Sequence, residues 1–216
     1  MHNSIKNLIN LKTNIQLETD SYQKIKIIAV SKTFPMRQIM PLIDYGHVDF
    51  GENKVQEAIE KWSEVKKLNK NINLHLIGRL QSNKVKQAVK IFDYIHSLDS
   101  MKLAKKIYDT QQEQSKKINI FIQVNMAKEE HKSGVQEPNL KALLEYSLGL
   151  GLNIVGLMCI PPATEDPNQY FHQLKILNDQ FGLKELSMGM SADYKIAIKN
   201  NATYIRIGSN IFGKRG

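Results

Sequence analysis

Lys32 ends the run Ile25-Lys26-Ile27-Ile28-Ala29-Val30-Ser31-Lys32 and is followed by Thr33-Phe34-Pro35. A β-rich apolar stretch thus delivers an amine to the point where a strand stops. Pro35 then stands ready to open a helix. In a parallel α/β protein, ligands bind at that end of the strands. A lysine there is either a surface charge or a nucleophile that can form a Schiff base with a carbonyl compound.

Three further features decide what such an amine could serve. Arg206 alternates with Ile205 and Ile207, so a period of two turns it inward, where a cation needs a partner. That partner is either a carboxylate of the protein or an aromatic nitrogen or phosphate of a ligand. Gly189 and Gly208 each follow an apolar run, and glycine lets backbone N–H groups come close to an anion. Ser191 is expected to cap the next helix, whose N-terminus favours phosphate, and Ser209 adds a hydroxyl. An amine, an anion site and an inward arginine together suit pyridoxal 5′-phosphate (PLP). Its aldehyde would meet Lys32, its phosphate the two glycine loops, and its pyridine nitrogen Arg206.

The elements that must position these groups follow from patterning. Short β-rich runs occur at 25–30, 48–50, 74–77, 94–97, 118–124, 154–160, 185–188 and 204–207. Helical stripes fill the gaps, among them Met36, Ile39, Met40 and Ile43, and Val55, Ala58, Ile59, Trp62 and Val65. Strands alternating with helices imply βαβ units and a parallel sheet, and so many units imply a closed (β/α)8 barrel. A doubly wound open sheet would bring a glycine-rich loop after the first strand, and Ser31-Lys32-Thr33-Phe34 contains no glycine. Residues 1–20, with Ile5, Leu8, Leu11 and Ile15, are expected to form a helix packed on this domain. The strand ends also offer Glu52 as a base, Asn53 as a helix cap, and Met158 at the end of the sixth run.

Composition excludes several classes. No apolar run approaches the ~18 residues of a membrane-spanning helix. One cysteine, Cys159, allows no intrachain disulfide and fits a reducing cytoplasm. No Cys/His cluster has zinc spacing, and no Gly-x-Ser-x-Gly elbow is present. His75 and His96 lie inside strands and read as core residues rather than metal ligands. The net charge of +9 comes mostly from lysines spread along the chain. It reads as a solvated surface that favours anions, not as a nucleic-acid site.

The motifs form a known set. Ala29-Val30-Ser31-Lys32-Thr33, Gly51-Glu52-Asn53-Lys54-Val55-Gln56-Glu57, His75 through Lys84, Lys132-Ser133-Gly134-Val135, Gly156 through Pro161, Ser187-Met188-Gly189-Met190-Ser191-Ala192-Asp193 and Arg206 through Gly213 occur in this order. Together they closely resemble the pyridoxal phosphate homeostasis protein family. The resemblance implies a single-domain barrel similar to the N-terminal domain of alanine racemase, with PLP covalently on Lys32. It implies Asn53 near the cofactor. It also implies that the Ser187–Ser191 loop and the Arg206–Ser209 segment hold phosphate and ring. The cofactor set is then Lys32, Asn53, Met158, Ser187, Met188, Ser191, Arg206, Gly208 and Ser209. Ser209 stands where the family more often has Thr and keeps the hydroxyl. The chain stops at Gly216, so a final helix is expected to be shortened.

The resemblance implies a protein that carries or buffers PLP and influences vitamin B6 balance, without established catalysis. The residues bear on this too. A carboxylate beside the pyridine nitrogen keeps it protonated and strengthens its electron sink, whereas an arginine does the reverse. A racemase also needs a second base, and no room is expected for the β-rich domain that helps supply it in alanine racemases. The alternatives are a PLP-dependent racemase, a Schiff-base aldolase acting on a phosphosugar, and a basic nucleic-acid-binding protein. The expected state is a monomer, with PLP-dependent apoenzymes as possible recipients.

Overall fold

A computed structural model describes residues 1–127 and 133–213; Lys132 of the Lys132–Val135 motif and the terminal Gly216 lie outside them. The order is α1 (Asn3–Glu18), β1 (Lys26–Val30), α2 (Met36–Asp44), β2 (Asp49–Glu52), α3 (Val55–Leu68), β3 (Asn73–Leu76), α4 (Val85–Ile91), β4 (Tyr94–Leu98), α5 (Met101–Gln114), β5 (Asn119–Gln123), α6 (Glu137–Gly149), β6 (Asn153–Met158), α7 (Pro167–Gln180), β7 (Glu185–Met190), α8 (Tyr194–Lys199), β8 (Tyr204–Ile207) and α9 (Ser209–Phe212). The strands are parallel and close in sequence order into the expected eight-stranded barrel, β8 returning to β1.

Alternation along each strand sorts side chains onto two faces. Ile28, Phe121, Met158 and Tyr204 fill the barrel interior as one buried cluster. Their neighbours of opposite parity, such as Ile27, Ala29, Phe50, Leu74 and Ile205, join the larger core beneath the helices. Each such fully buried aliphatic or aromatic side chain contributes roughly 1.5–3 kcal/mol.

The N-terminal helix packs on the barrel as its periodicity implies. Leu8, Leu11 and Ile15 are buried along one face of α1. The Asn7 side-chain amide donates to the Ile211 carbonyl at 2.9 Å, tying α1 to α9.

Strand β7 runs two residues beyond the expected stretch, because a bulge lengthens it. Ser187 pairs with Tyr204, but Met190 pairs with Arg206, so β7 carries one extra residue against β8. Gly189 sits inside that bulge at φ +92°, a backbone conformation suited to glycine. A Cβ there would lie 2.6 Å from the Ala197 Cβ, so α8 rests directly on the bulge.

Candidate functional site at the barrel mouth

Lys32 emerges two residues past β1, half-buried. Ile28 pairs with Arg206 and Ala29 with Ile207, so the amine leaves the sheet beside the strand that carries Arg206. Phe34 stacks on Phe212 with ring centroids 4.9 Å apart, fastening the loop after β1 to α9.

The backbone flanking Lys32 is held on both sides by α3. The Lys61 ammonium donates to the Ser31 carbonyl at 3.0 Å and to Oε1 of Glu52 and Glu57 at 2.9 and 3.0 Å. Ser31 Oγ donates to Glu52 Oε1 at 2.7 Å, and the Thr33 N–H donates to Glu57 Oε1 at 2.7 Å. Thr33 has φ +69°, an uncommon conformation for a β-branched residue. The clamp thus holds the turn that presents Lys32.

Glu52, a candidate base in the sequence, is turned the other way. Its parity matches Phe50, and its Oε1 also accepts from Trp62 Nε1 of α3 at 3.0 Å. It is a buried structural acceptor behind the barrel, and its Oε2 has no hydrogen-bond partner. Asn53 does not cap α3; that position belongs to Lys54. Asn53 instead presses its backbone on Gly78, where a Cβ would lie 2.3 Å from the Asn53 carbonyl oxygen. Its side chain is half-buried at the rim.

Arg206 is buried, 4 % exposed, on the floor of the mouth. Its hydrogen-bond partners are a hydroxyl and a main-chain carbonyl, while the Asp193 carboxylate acts on it through its charge. Nη1 donates to Ser187 Oγ at 2.8 Å and Nη2 to the Cys159 carbonyl at 2.9 Å. Burial lowers the Arg206 pKa, and the same burial pushes the Cys159 thiol up to about 12. Ser187 is therefore a buried support for Arg206, and Ser187 Oγ also meets His96 Nδ1 at 2.9 Å. Met158 lies in the interior cluster beneath. The Met188 side chain lies in the outer core instead.

The two glycine loops lie together. The Asn210 side-chain amide donates to the Ser191 carbonyl at 3.1 Å, joining the loop after β7 to α9. Ser191 is half-buried, Gly208 half-buried and Ser209 exposed. Ser191 is not the helix cap expected from sequence. Asp193 holds that position, and its Oδ1 accepts from the Met190 N–H at 2.5 Å, turning the loop back on itself. The start of α9, after Gly208, has no side-chain cap, and the first N–H groups of a helix find no acceptor within it.

These groups fit PLP by their chemistry. An amine, a buried fixed guanidinium and two glycine-containing loops with N–H donors and hydroxyls match an aldehyde, a pyridine nitrogen and a phosphate respectively.

His75 and His96 are fully buried core residues. No group of three or more metal-ligating side chains occurs among the described residues, nor does any described helix reach the length and apolarity needed to cross a membrane. A groove of about 620 Å³ lined by Lys66, Lys67, Lys90, Lys116 and Asp93 lies away from Lys32, on the helices. There Lys66 and Lys116 are engaged by Asp93 and main-chain carbonyls.

The chain was compared with known proteins. The family profile "Alanine racemase, N-terminal domain" matches residues 7–216. The pyridoxal phosphate homeostasis protein of Aquifex aeolicus is 40% identical over 200 residues, 88% of this chain and 87% of the relative. The structure of PipY from Synechococcus elongatus with PLP bound superposes with a TM-score of 0.88 at 33% identity, covering 97% of this chain and 100% of PipY. An alanine racemase of Clostridium difficile shares the fold, at 17% identity and a TM-score of 0.73, over 99% of this chain and 57% of its own.

Proposed function

The chain belongs to the pyridoxal phosphate homeostasis protein family, and from that premise we propose that it binds PLP at the barrel mouth and maintains vitamin B6 balance in the cytoplasm without catalytic turnover. Lys32 holds the cofactor covalently through its aldehyde carbon. The phosphate lies on the N–H groups and hydroxyls of the Ser191 and Gly208–Ser209 loops. Asn53 flanks it at the rim, and Met158 and Ser187 underlie it; Met188, with its side chain in the outer core, gives only main chain to the β7 loop. The single observation that carries this reading is the fixed Arg206 guanidinium beside the strand that leads to Lys32.

Bound PLP supplies an electron sink to amino-acid substrates in enzymes. Here Arg206, itself a cation, disfavours a proton on the ring nitrogen it faces and so weakens that sink. Its hydrogen bonds to Ser187 and the Cys159 carbonyl hold the guanidinium in that place. The clamp of Lys61, Glu52 and Glu57 orients the turn that bears Lys32. Such a site suits retention and hand-over to apoenzymes more than chemistry, and it is complete within one monomer.

The test is uptake of PLP followed by borohydride reduction and peptide mass mapping. A pyridoxyl adduct on Lys32, lost in Lys32→Ala, is expected. An adduct on another lysine, or none, overturns the assignment. Racemisation of amino acids that depends on Lys32 would replace the carrier by an enzyme.

A further inference from the structure

Beneath Arg206 the barrel interior holds a file of buried polar groups that runs from Arg206 to Asp49. Arg206 Nη1 lies 2.8 Å from Ser187 Oγ, and Ser187 Oγ 2.9 Å from His96 Nδ1. His96 Nε2 lies 3.0 Å from His75 Nδ1, and His75 Nε2 3.1 Å from Asp49 Oδ1. The file draws on β8, β7, β4, β3 and β2 in turn and leads from the mouth to Asp49, the first residue of β2.

The two ends determine every direction between them. A guanidinium only donates, so Ser187 Oγ accepts from Arg206. An ionised carboxylate only accepts, so His75 Nε2 carries a proton. His75 is fully buried and neutral, its pKa lowered by burial, so its Nδ1 is bare and accepts from His96 Nε2–H. His96 is neutral for the same reason, so its own Nδ1 is bare and accepts the Ser187 hydroxyl proton. With either imidazole in the other tautomer, two bare nitrogens, two N–H groups or a lone pair and a carboxylate would face each other.

We propose that Ser187, His96, His75 and Asp49 form a one-way donor relay whose role is to position Arg206, so that the guanidinium orientation at the mouth depends on residues at the far end of the barrel. Arg206 has no carboxylate among its hydrogen bonds; the Asp193 charge acts on it from the loop after β7 without a hydrogen bond. The Asp49 charge instead terminates the file of dipoles that Arg206 heads, and Asn73 Nδ2 adds a further donor to Asp49 Oδ1 at 3.0 Å. Stacking of His75 on Tyr94 and of His96 on Phe121, each with centroids 4.3 Å apart, holds both imidazole planes. The effect on a ligand rests on the reading of Arg206 given above; the relay itself does not.

The test begins with histidine ¹⁵N NMR on the ligand-free protein at neutral pH. Both His75 and His96 should be neutral and protonated on Nε2. A protonated ring or an Nδ1–H tautomer at either position overturns the relay. Ser187→Ala should weaken PLP binding about tenfold or more, since a hydrogen bond to a charged group is lost. It should also shift the absorption band of bound PLP. Ser187→Thr, which keeps the hydroxyl, should restore both. Unchanged affinity and spectrum in Ser187→Ala would remove the positioning role. If the wild-type protein takes up no PLP, the functional reading fails, while the tautomer measurement still decides the relay.

Discussion

The Lys61 ammonium donates to the Ser31 carbonyl at 3.0 Å, so one lysine, from α3, fixes the main chain next to another. The side chain of Lys61 is 11% exposed and that of its partner Glu52 fully buried. Removing one member of a buried pair leaves the other charge uncompensated. Lys61→Met should therefore cost about 3 kcal/mol in urea unfolding. It should also slow formation of the borohydride-trapped adduct on Lys32. A loss below about 1 kcal/mol, the range of exposed pairs, would show that the clamp is not a buried ion pair in solution.

Gly189→Ala tests the bulge. At φ +92° an alanine is strained, and its Cβ would meet the Ala197 Cβ at 2.6 Å. The variant should lose roughly 1–3 kcal/mol from backbone strain. Calorimetry against PLP should show weaker binding as well, because the β7 loop must move. Wild-type affinity and stability together would mean that the bulge has no part in the site.

Acid should destabilise the fold through three imidazoles withdrawn from water, those of His47, His75 and His96. Burial lowers the pKa of His75 and of His96, and brings that of His47 to about 4. Below about pH 6.5 the unfolded chain binds protons that the native state refuses. Stability is then complete above that pH and falls as pH drops, by up to about 4 kcal/mol per pH unit for three such sites. Burial alone would raise the pKa of Asp49, but the His75 hydrogen bond brings it below the ordinary carboxylate value. Its contribution is lost in the same direction at lower pH. Denaturant midpoints that stay level from pH 7 to pH 5 would contradict the buried, neutral state of these rings.

The barrel, the placement of Lys32 and the burial of Arg206 were legible because each rests on local periodicity: alternation within a strand, or a stripe within a helix. Glu52 was misjudged as a candidate base although the same rule covers it. Counting by two from Phe50 points it at α3, away from the mouth. Ser191 was expected to cap α8, whereas the turn runs two residues further to Asp193, because the bulge at Gly189 adds a residue that no pattern announces. The relay was the least visible part. Its members come from strands far apart in the chain, and His75 or His96 alone reads only as an apolar-strand histidine. Their shared inward parity on adjacent strands was the one available signal.

Cys159 provides a probe of opening. Its thiol is buried and pushed up to about 12. A thiol-reactive chromogen should label it at least about a thousandfold more slowly in the native protein than in urea. Prompt labelling of the native state would place the sulfur at the surface and contradict the support it gives beneath Arg206.

The seam between β1 and β8 has a consequence for biosynthesis. The amine is made near the start of the chain, while Arg206 and the Gly208 loop are made near its end. A ribosome-bound chain still lacking β8 carries Lys32 but has no mouth for it to line. Capture of the ligand must therefore wait until β8 has been made and has paired with β1, and chains truncated before Tyr204 should remain colourless.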